Sequence, residues 1–424
     1  MGHNRASGTM FRLRSLRVLA TAAIPFLVAA FQYALPGSQQ NVRSSNSLSH
    51  VQTGVDVLEA DGFAPLRGRR VGLITNQTGV DSRGRRTIDL LAHARGVKLV
   101  ALFSPEHGIA GRADAVVENA RDAATGLTIY SLYGATRRPT TDMLRGIDAL
   151  VFDIQDAGVR FYTYVTTMAY CMEESAKQHI AFFVLDRPDP FGGEAIEGPV
   201  LDPGRTSFTG YFSMPVRYGM TMGELARMFN AENKIGADLH VVAMRGWHRR
   251  ESYDQTGLAW IPPSPNLPTL NAMFLYPGIE VLQVGGVSVG RGTNTPFEMI
   301  GAPWIRGEEL AEALSRRKLS VVTFAPAEFT PSQQAYAGRV CHGVSITIVN
   351  RGTFKPMLMG LEIAEALHRL YPEQFQLEKI VGLLGSQSTV DRLERGDEPA
   401  AIVEGWSSDL EKFRQLRAKY LLYD

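Results

Sequence analysis

From residue 70 onward the chain alternates short, unbroken apolar runs with segments of helical periodicity. RVGLIT (70–75), VKLVALF (97–103), DALVFDI (148–154), IAFFVLD (180–186) and LHVVAM (239–244) are apolar over the length of a strand. Runs that lack polar alternation suit strands buried on both faces. Between them TIDLLAHA, VTTMAYCMEESAKQH and TMGELARMFNAEN carry the spacing of amphipathic helices. The last opens with Thr221 and Glu224 at the separation of a capping box. Strands and helices in this order predict an α/β fold, a parallel sheet with helices on its faces and right-handed crossovers. Past residue 300, GEELAEALSRRK, KPMLMGLEIAEALHRLY and SSDLEKFRQLRAKY read as amphipathic helices and VSITIV as a strand. The final helix mixes basic residues with leucines, and docking of its apolar stripe on the sheet is preferred to membrane binding.

The first fifty residues break the pattern. Arg5, Arg12, Arg14 and Arg17 precede the apolar stretch VLATAAIPFLVAAFQYAL (18–35), and a polar segment follows. That is the plan of a secretory signal, so residues 1–50 are expected to direct export to a periplasmic or extracellular location. No stable membrane insertion is expected once the signal is removed. An uncleaved anchor is the alternative, although the run is interrupted by Pro25 and is short of the ~20 residues of a spanning helix.

The 424 residues exceed the roughly 250–300 at which a single core stops growing. Two folded domains are therefore expected, taken as residues 51–270 and 271–424. Forty-four basic and 43 acidic side chains leave a net charge of +1, which supplies no long-range field for nucleic acid. Cys171 and Cys341 are expected to be separate buried thiols. Cys341 and His342 are neighbours on a strand, point to opposite faces and cannot form a dyad.

Ionisable and amide residues fall directly behind the strands. NQTG follows the first, SPEHG the second, QDAGVRFYTY the third and RPDPFGGE the fourth. In a parallel sheet these loops share one edge, where open α/β sheets bind ligands, so Asn76, Glu106, Asp156, Arg160 and Asp186 are expected to converge. No G-x-G-x-x-G follows the first strand, and no phosphate-cradling G-x-x-x-x-G-K-[ST] occurs. GGVSVGRGT (285–293) reads as a loop whose glycines allow close backbone approach to a ligand or another chain. H-E-x-x-H and C-x-x-C are absent, and Glu106, His107, Asp153 and Asp156 lack ligand spacing; neither metal nor cofactor is expected. G-x-S-x-G is missing as well. What remains is Glu106, a carboxyl held between a rigid proline and a pliable glycine. Glycoside hydrolysis needs such a group in apolar surroundings to protonate the departing oxygen. Helix capping or pairing with Arg112 is the structural alternative.

LFSPEHGIAG, YSLYG, VFDIQDAGVRFYTY, LDRPDPFGG, YGMTMGELA, PPSPNLPT, LYPG, GRGTNTPFEMIGAPW and RAKYLLY together resemble the exo-β-N-acetylmuramidase family of NamZ type. These are peptidoglycan hydrolases formerly grouped as a domain of unknown function, and the likeness runs in order from about residue 51 to 424. It implies removal of a terminal N-acetylmuramic acid from the non-reducing end of peptidoglycan fragments. It also implies a Rossmann-like domain packed on a smaller C-terminal α/β domain, with the site in the cleft and the SPEHG glutamate, Glu106, as catalytic.

Roles for the remaining residues follow from the chemistry of that sugar. Its lactyl carboxylate calls for a guanidinium able to pair with both oxygens, and Arg160 and Arg291 are the candidates. Asp153, Gln155 and Asp156 are assigned to sugar hydroxyls, with Asp156 as the second catalytic carboxylate. Tyr162 and Tyr164 are candidates to stack on the ring, Asn76 lines the same edge, Asn266 and Glu298 close the cleft from the far side, and His107 orients Glu106. Two positions depart from the family pattern. Gln283 stands where relatives carry an acidic residue, and Asp189 where asparagine is more usual. An amide cannot act as nucleophile or base, so a catalytically silent muropeptide-binding protein is the rival reading. A hydrolase of the peptide or of an ester is a third.

Overall fold

Alternating side chains build the centre of the fold, which the computed structural model describes for residues 50–113, 117–317 and 319–424. The segment read as an export signal lies outside the described residues. In chain order the strands are β1 (Arg70–Thr75), β2 (Lys98–Ser104), β3 (Ala120–Arg121), β4 (Thr128–Ser131), β5 (Ala149–Asp153) and β6 (Ala181–Leu185). An antiparallel ribbon of β7 (Glu197–Val200) and β8 (Pro215–Arg217) precedes β9 (Leu239–Val242). Seven of these form one sheet in the order β3-β4-β2-β1-β5-β6-β9. All its pairings are parallel except β3 with β4.

Period-two alternation sends side chains to both faces of this sheet, as buried parallel strands require. Val71, Leu73, Val151 and Phe183 pack with Val55 and Leu58 of the helix Gly54–Ala60 and with Ile88 and Leu91 of the helix Thr87–His93. Ile74, Phe103, Phe152 and Phe182 join a larger core on the opposite face. That core continues into the C-terminal half through Ile279, Leu310, Val344 and Leu361, so Ser47–Asp424 is one compact unit.

The C-terminal half contains a smaller antiparallel sheet of β10 (Met299–Ala302), β11 (Val322–Phe329) and β12 (Cys341–Ile348), ordered β10-β12-β11. On β12 Cys341 is buried and His342 exposed, and both cysteines are free thiols. Among the described residues no helix is long and apolar enough to cross a membrane.

One helix, Leu270–Gln283, has no counterpart in the sequence reading, because Pro277 and Gly278 lie inside it. Every residue from Ala272 to Leu282 is buried, so it shows no polar face and hence no amphipathic period. Gly278 is required by packing: a Cβ there would stand 2.0 Å from the Pro356 carbonyl oxygen of the helix Pro356–Leu370.

Buried arginines fasten the two halves through backbone carbonyls. Arg160 is fully buried. Its Nη1 donates to the carbonyls of Pro199 (3.0 Å) and Met214 (2.8 Å), and its Nη2 to those of Leu383 (3.1 Å) and Leu384 (2.6 Å). Burial lowers its pKa to about 9, with Asp202 acting in the other direction. Both terminal nitrogens of Arg160 are thus engaged by carbonyls inside the protein, which counts against the expectation that they grip a substrate carboxylate. In the closing RAKYLLY, Arg417 donates to the carbonyls of Gly193, Glu194, Tyr218 and Gly219. The Tyr423 hydroxyl donates to Asp186 at 2.6 Å. Asp186 also accepts from the Thr221 hydroxyl and the Gly223 amide, which anchors the capping-box helix Met222–Glu232 and keeps Asp186 away from any ligand.

Removing the guanidinium of Arg160 leaves several buried carbonyls without a donor, at about 1–3 kcal/mol each. Arg160→Met is expected to lower the melting temperature by several degrees in a thermal melt followed by circular dichroism. Arg160→Lys should not restore it, because a single ammonium cannot reach both pairs of carbonyls.

Candidate active site

At the carboxyl ends of β2, β4 and β5 the chain encloses a cavity of about 420 Å³, within the roughly 300–1,000 Å³ of small-molecule sites. The loop after β2 contributes Glu106 and His107, and the loop after β5 contributes Phe161, Tyr162 and Thr163. The PPSPN segment supplies Ser264 and Asn266, while Tyr276, Glu280, Arg291 and Phe297 enter from the C-terminal half.

The first loop is shaped by a left-handed backbone at both His107 (φ 69°) and Gly108 (φ 73°). For a non-glycine residue that conformation costs roughly 1–2 kcal/mol, and local hydrogen bonds hold it in place. The His107 carbonyl accepts from the amides of Arg112 and Ala113. Its ring Nδ1 lies 2.7 Å from the Ala113 carbonyl; a carbonyl only accepts, so Nδ1 carries the proton. Glu106 is thereby carried into the cavity, where its Oε2 accepts from the Thr163 hydroxyl at 2.5 Å. Thr163 itself stands at the start of the helix Tyr164–Lys177. Behind the loop, the Tyr164 hydroxyl donates to the Pro263 carbonyl (2.7 Å) and accepts from Asn76 (3.1 Å). Gln77 holds the Pro262 carbonyl at 2.7 Å, so the β1 loop positions the PPSPN segment from below.

A second carboxylate faces the same space. Glu280, on the helix Leu270–Gln283, accepts from Arg291 Nη2 at 2.5 Å. Near the two carboxylates stands Tyr276, whose ring meets Phe161 at 5.4 Å, Tyr162 at 6.0 Å and Phe297 at 5.0 Å between centroids. Burial, together with the charges of Glu280 and Glu106 and against that of Arg291, raises the Tyr276 phenol well above its ordinary pKa. It therefore remains a neutral hydrogen-bond donor. Burial raises Tyr162 in the same way.

Glu106, His107, Tyr162, Asn266 and Arg291 thus line the cavity, and the other candidates, Tyr164 and Asp186 among them, do not. Asn76 is buried, its Oδ1 accepting from both the amide and the hydroxyl of Thr78. Asp153 is held by Arg187, whose Nε and Nη2 lie 2.6 and 3.0 Å from it, and by the Thr87 hydroxyl. Gln155 donates to the carbonyls of Asp156 and Pro188. Arg160 is occupied as described. Glu298 accepts from Thr269 (3.0 Å), the N-cap of the helix that carries Glu280. Asp156, expected as the second catalytic carboxylate, is buried and takes the Tyr218 hydroxyl and the Gly158 amide on Oδ2. None of these six lines the cavity, and each is held by hydrogen bonds within the protein.

Glu280, Thr163, Tyr276 and Arg137 were missed. Glu280 lies two residues past LYPG, and the helix that would have placed it was hidden by Pro277. Gln283, on the final turn of that helix, does not line the cavity, so the carboxylate this helix presents comes from position 280. Thr163 sits between the two tyrosines already singled out. Arg137 follows β4, a four-residue strand without a sequence signal. Among the described residues no group of three or more His, Cys, Asp or Glu is arranged to hold a metal ion.

Asp189 adjoins Asp156, and each keeps one buried oxygen without a hydrogen-bond partner among the described residues. Burial pushes Asp156 up to about 6. It pushes Asp189 up to about 7, with the Phe191 amide opposing and the Asp156 charge adding to the rise.

Comparison with known proteins gives a consistent result. Residues 71–271 match the family described as Exo-beta-N-acetylmuramidase NamZ, N-terminal, and residues 274–423 match its C-terminal counterpart. The chain is 44% identical over 378 residues to the peptidoglycan beta-N-acetylmuramidase NamZ of Bacillus subtilis (strain 168), covering 88% of this chain and 91% of that one. Two crystal structures of DUF1343 family proteins from Bacteroides fragilis NCTC 9343 superpose on it. One has a TM-score of 0.81 at 40% identity, the other 0.72 at 30%, each covering 88% of this chain and 99% of the other.

A carboxyl whose pKa rises on folding from 3.8 to about 7 favours the fold while it is protonated, and this contribution is lost as pH climbs through 7. Asp189→Asn, neutral at every pH, is expected to match the parent below about pH 4, to melt progressively higher than it between about pH 4 and 7, and to keep a constant lead beyond that. Thermal melts across that range check the crossover. Thr163→Val, which removes the hydroxyl on Glu106 and keeps the shape, is expected to lower kcat/KM by roughly tenfold, about the worth of one hydrogen bond.

Proposed function

Because the chain belongs to the exo-β-N-acetylmuramidase NamZ family, we infer that its cavity is the active site of an exo-acting glycoside hydrolase. It releases terminal N-acetylmuramic acid from the non-reducing end of peptidoglycan fragments. The observation that carries this reading is the pairing of two unlike carboxyls in one aromatic-lined cavity, Glu106 on a hydroxyl and Glu280 on a guanidinium. A carboxylate paired with arginine is a poor proton donor, so the acid role falls to Glu106. It protonates the glycosidic oxygen as the bond to the anomeric carbon breaks, and water completes the hydrolysis. Glu280 faces the positive charge that develops on the sugar ring, and Arg291 fixes its orientation.

Tyr276 and Asn266 offer neutral polar groups to the sugar, and Phe161, Tyr162 and Phe297 supply apolar surface. His107 lines the same cavity with its Nδ1 proton committed to the loop. A silent binding protein is not favoured, because that reading rested on Gln283. Export by the basic and apolar N-terminal segment is part of the proposal, since peptidoglycan lies outside the cytoplasmic membrane.

Glu106→Gln is expected to lower release of N-acetylmuramic acid from a muramic-acid-terminated disaccharide by about 10²–10⁴-fold with an unchanged thermal melt. Mass spectrometry of the products reads this directly. Wild-type activity in that variant, or cleavage confined to sugar-free stem peptides, would remove the assignment.

A further inference from the structure

Two arginines reach the cavity, and they are differently engaged. Arg291 holds Glu280 at 2.5 Å. Arg137, exposed in the loop after β4, lies over aromatic rings instead. Its guanidinium carbon is 4.3 Å from the Phe208 centroid and 5.8 Å from that of Tyr133, and both rings line the cavity. The next residue shows the contrast. Arg138 packs 3.6 Å over Tyr170, which adjoins the same Phe208, and it donates to Glu173 and Glu174. Among the described residues, no carboxylate oxygen is found within 4.0 Å of Arg137.

An arginine supported by aromatic rings loses little further freedom on binding, and its N–H fork matches a carboxylate with two parallel bonds. Attraction between cation and ring is modest at an exposed site, so the positive charge is left for a ligand. The Ser207 and Thr209 hydroxyls, 3.2 Å apart, flank Phe208 and line the same cavity. We propose that Arg137 is a specificity-determining residue that receives the free carboxylate of the acidic sugar, in place of Arg160 and beside an Arg291 committed to Glu280. This rests on the substrate reading given above, which names the acid to be bound.

Titration calorimetry with N-acetylmuramic acid and with its methyl ester isolates the charge. The parent protein is expected to bind the acid roughly 10- to 100-fold more tightly than the ester, the range of a hydrogen-bonded charge. Arg137→Ala should abolish that preference without weakening the ester, and Arg137→Lys should recover part of it. On a muramic-acid-terminated disaccharide the alanine variant should raise KM more than it lowers kcat. Equal binding of acid and ester by the parent, or survival of the preference in Arg137→Ala, overturns the proposal. Failure of the parent to cleave the disaccharide while it still prefers the acid would instead count against the hydrolase reading alone.

Discussion

The site depends on one buried guanidinium. Arg160 donates to carbonyls of Pro199 and Met214 on one side and of Leu383 and Leu384 on the other, and Leu383 is part of the cavity wall. A charge is expensive to bury, and the Asp202 carboxylate offsets only part of the burial that lowers the Arg160 pKa. The charge persists here because four carbonyl dipoles converge on it. The loop after β5 that carries Arg160 also carries Phe161, Tyr162 and Thr163. Registration of the two halves and presentation of the cavity residues are thus settled by the same short segment.

The chemistry of the cavity comes from unequal surroundings for like groups. Glu106 rests on a hydroxyl and Glu280 on a guanidinium, so two like carboxyls meet different partners in one cavity. Asp156 and Asp189 illustrate the opposite outcome a short way beneath. There, burial drives both toward the neutral acid, for Asp189 against the opposing charges of Arg217 and Arg249. Four carboxyls therefore divide by neighbour, and residue type alone does not separate them.

That division explains which features could be read in the sequence. Strands such as RVGLIT announce themselves because hydrophobicity is a local property, and β1 begins and ends where its apolar run does. The capping box at Thr221 and Glu224 is equally local and is present. The place of Glu106 at a cavity was legible because proline and glycine mark its loop as special. Arg160 and Asp156 were not separable from site residues, because motif membership does not tell a side chain that points at a ligand from one that points at the backbone behind it. Glu280 was hidden for a third reason: its helix is buried on every side and contains Pro277, so neither periodicity nor propensity identifies it. β3 and β4, two and four residues long, are held by pairing with β2 and leave no pattern of their own, and Arg137 was lost with them.

The Arg160 clasp bears on how such proteins can diverge. Its acceptors are main-chain oxygens, which every amino acid carries, so positions 199, 214, 383 and 384 can change side chain without loosening it. Compensating pairs of substitutions would not accumulate there. A search for co-varying positions across relatives would pass over one of the tightest junctions in the molecule, whereas an insertion beside any of those four carbonyls would be felt at once.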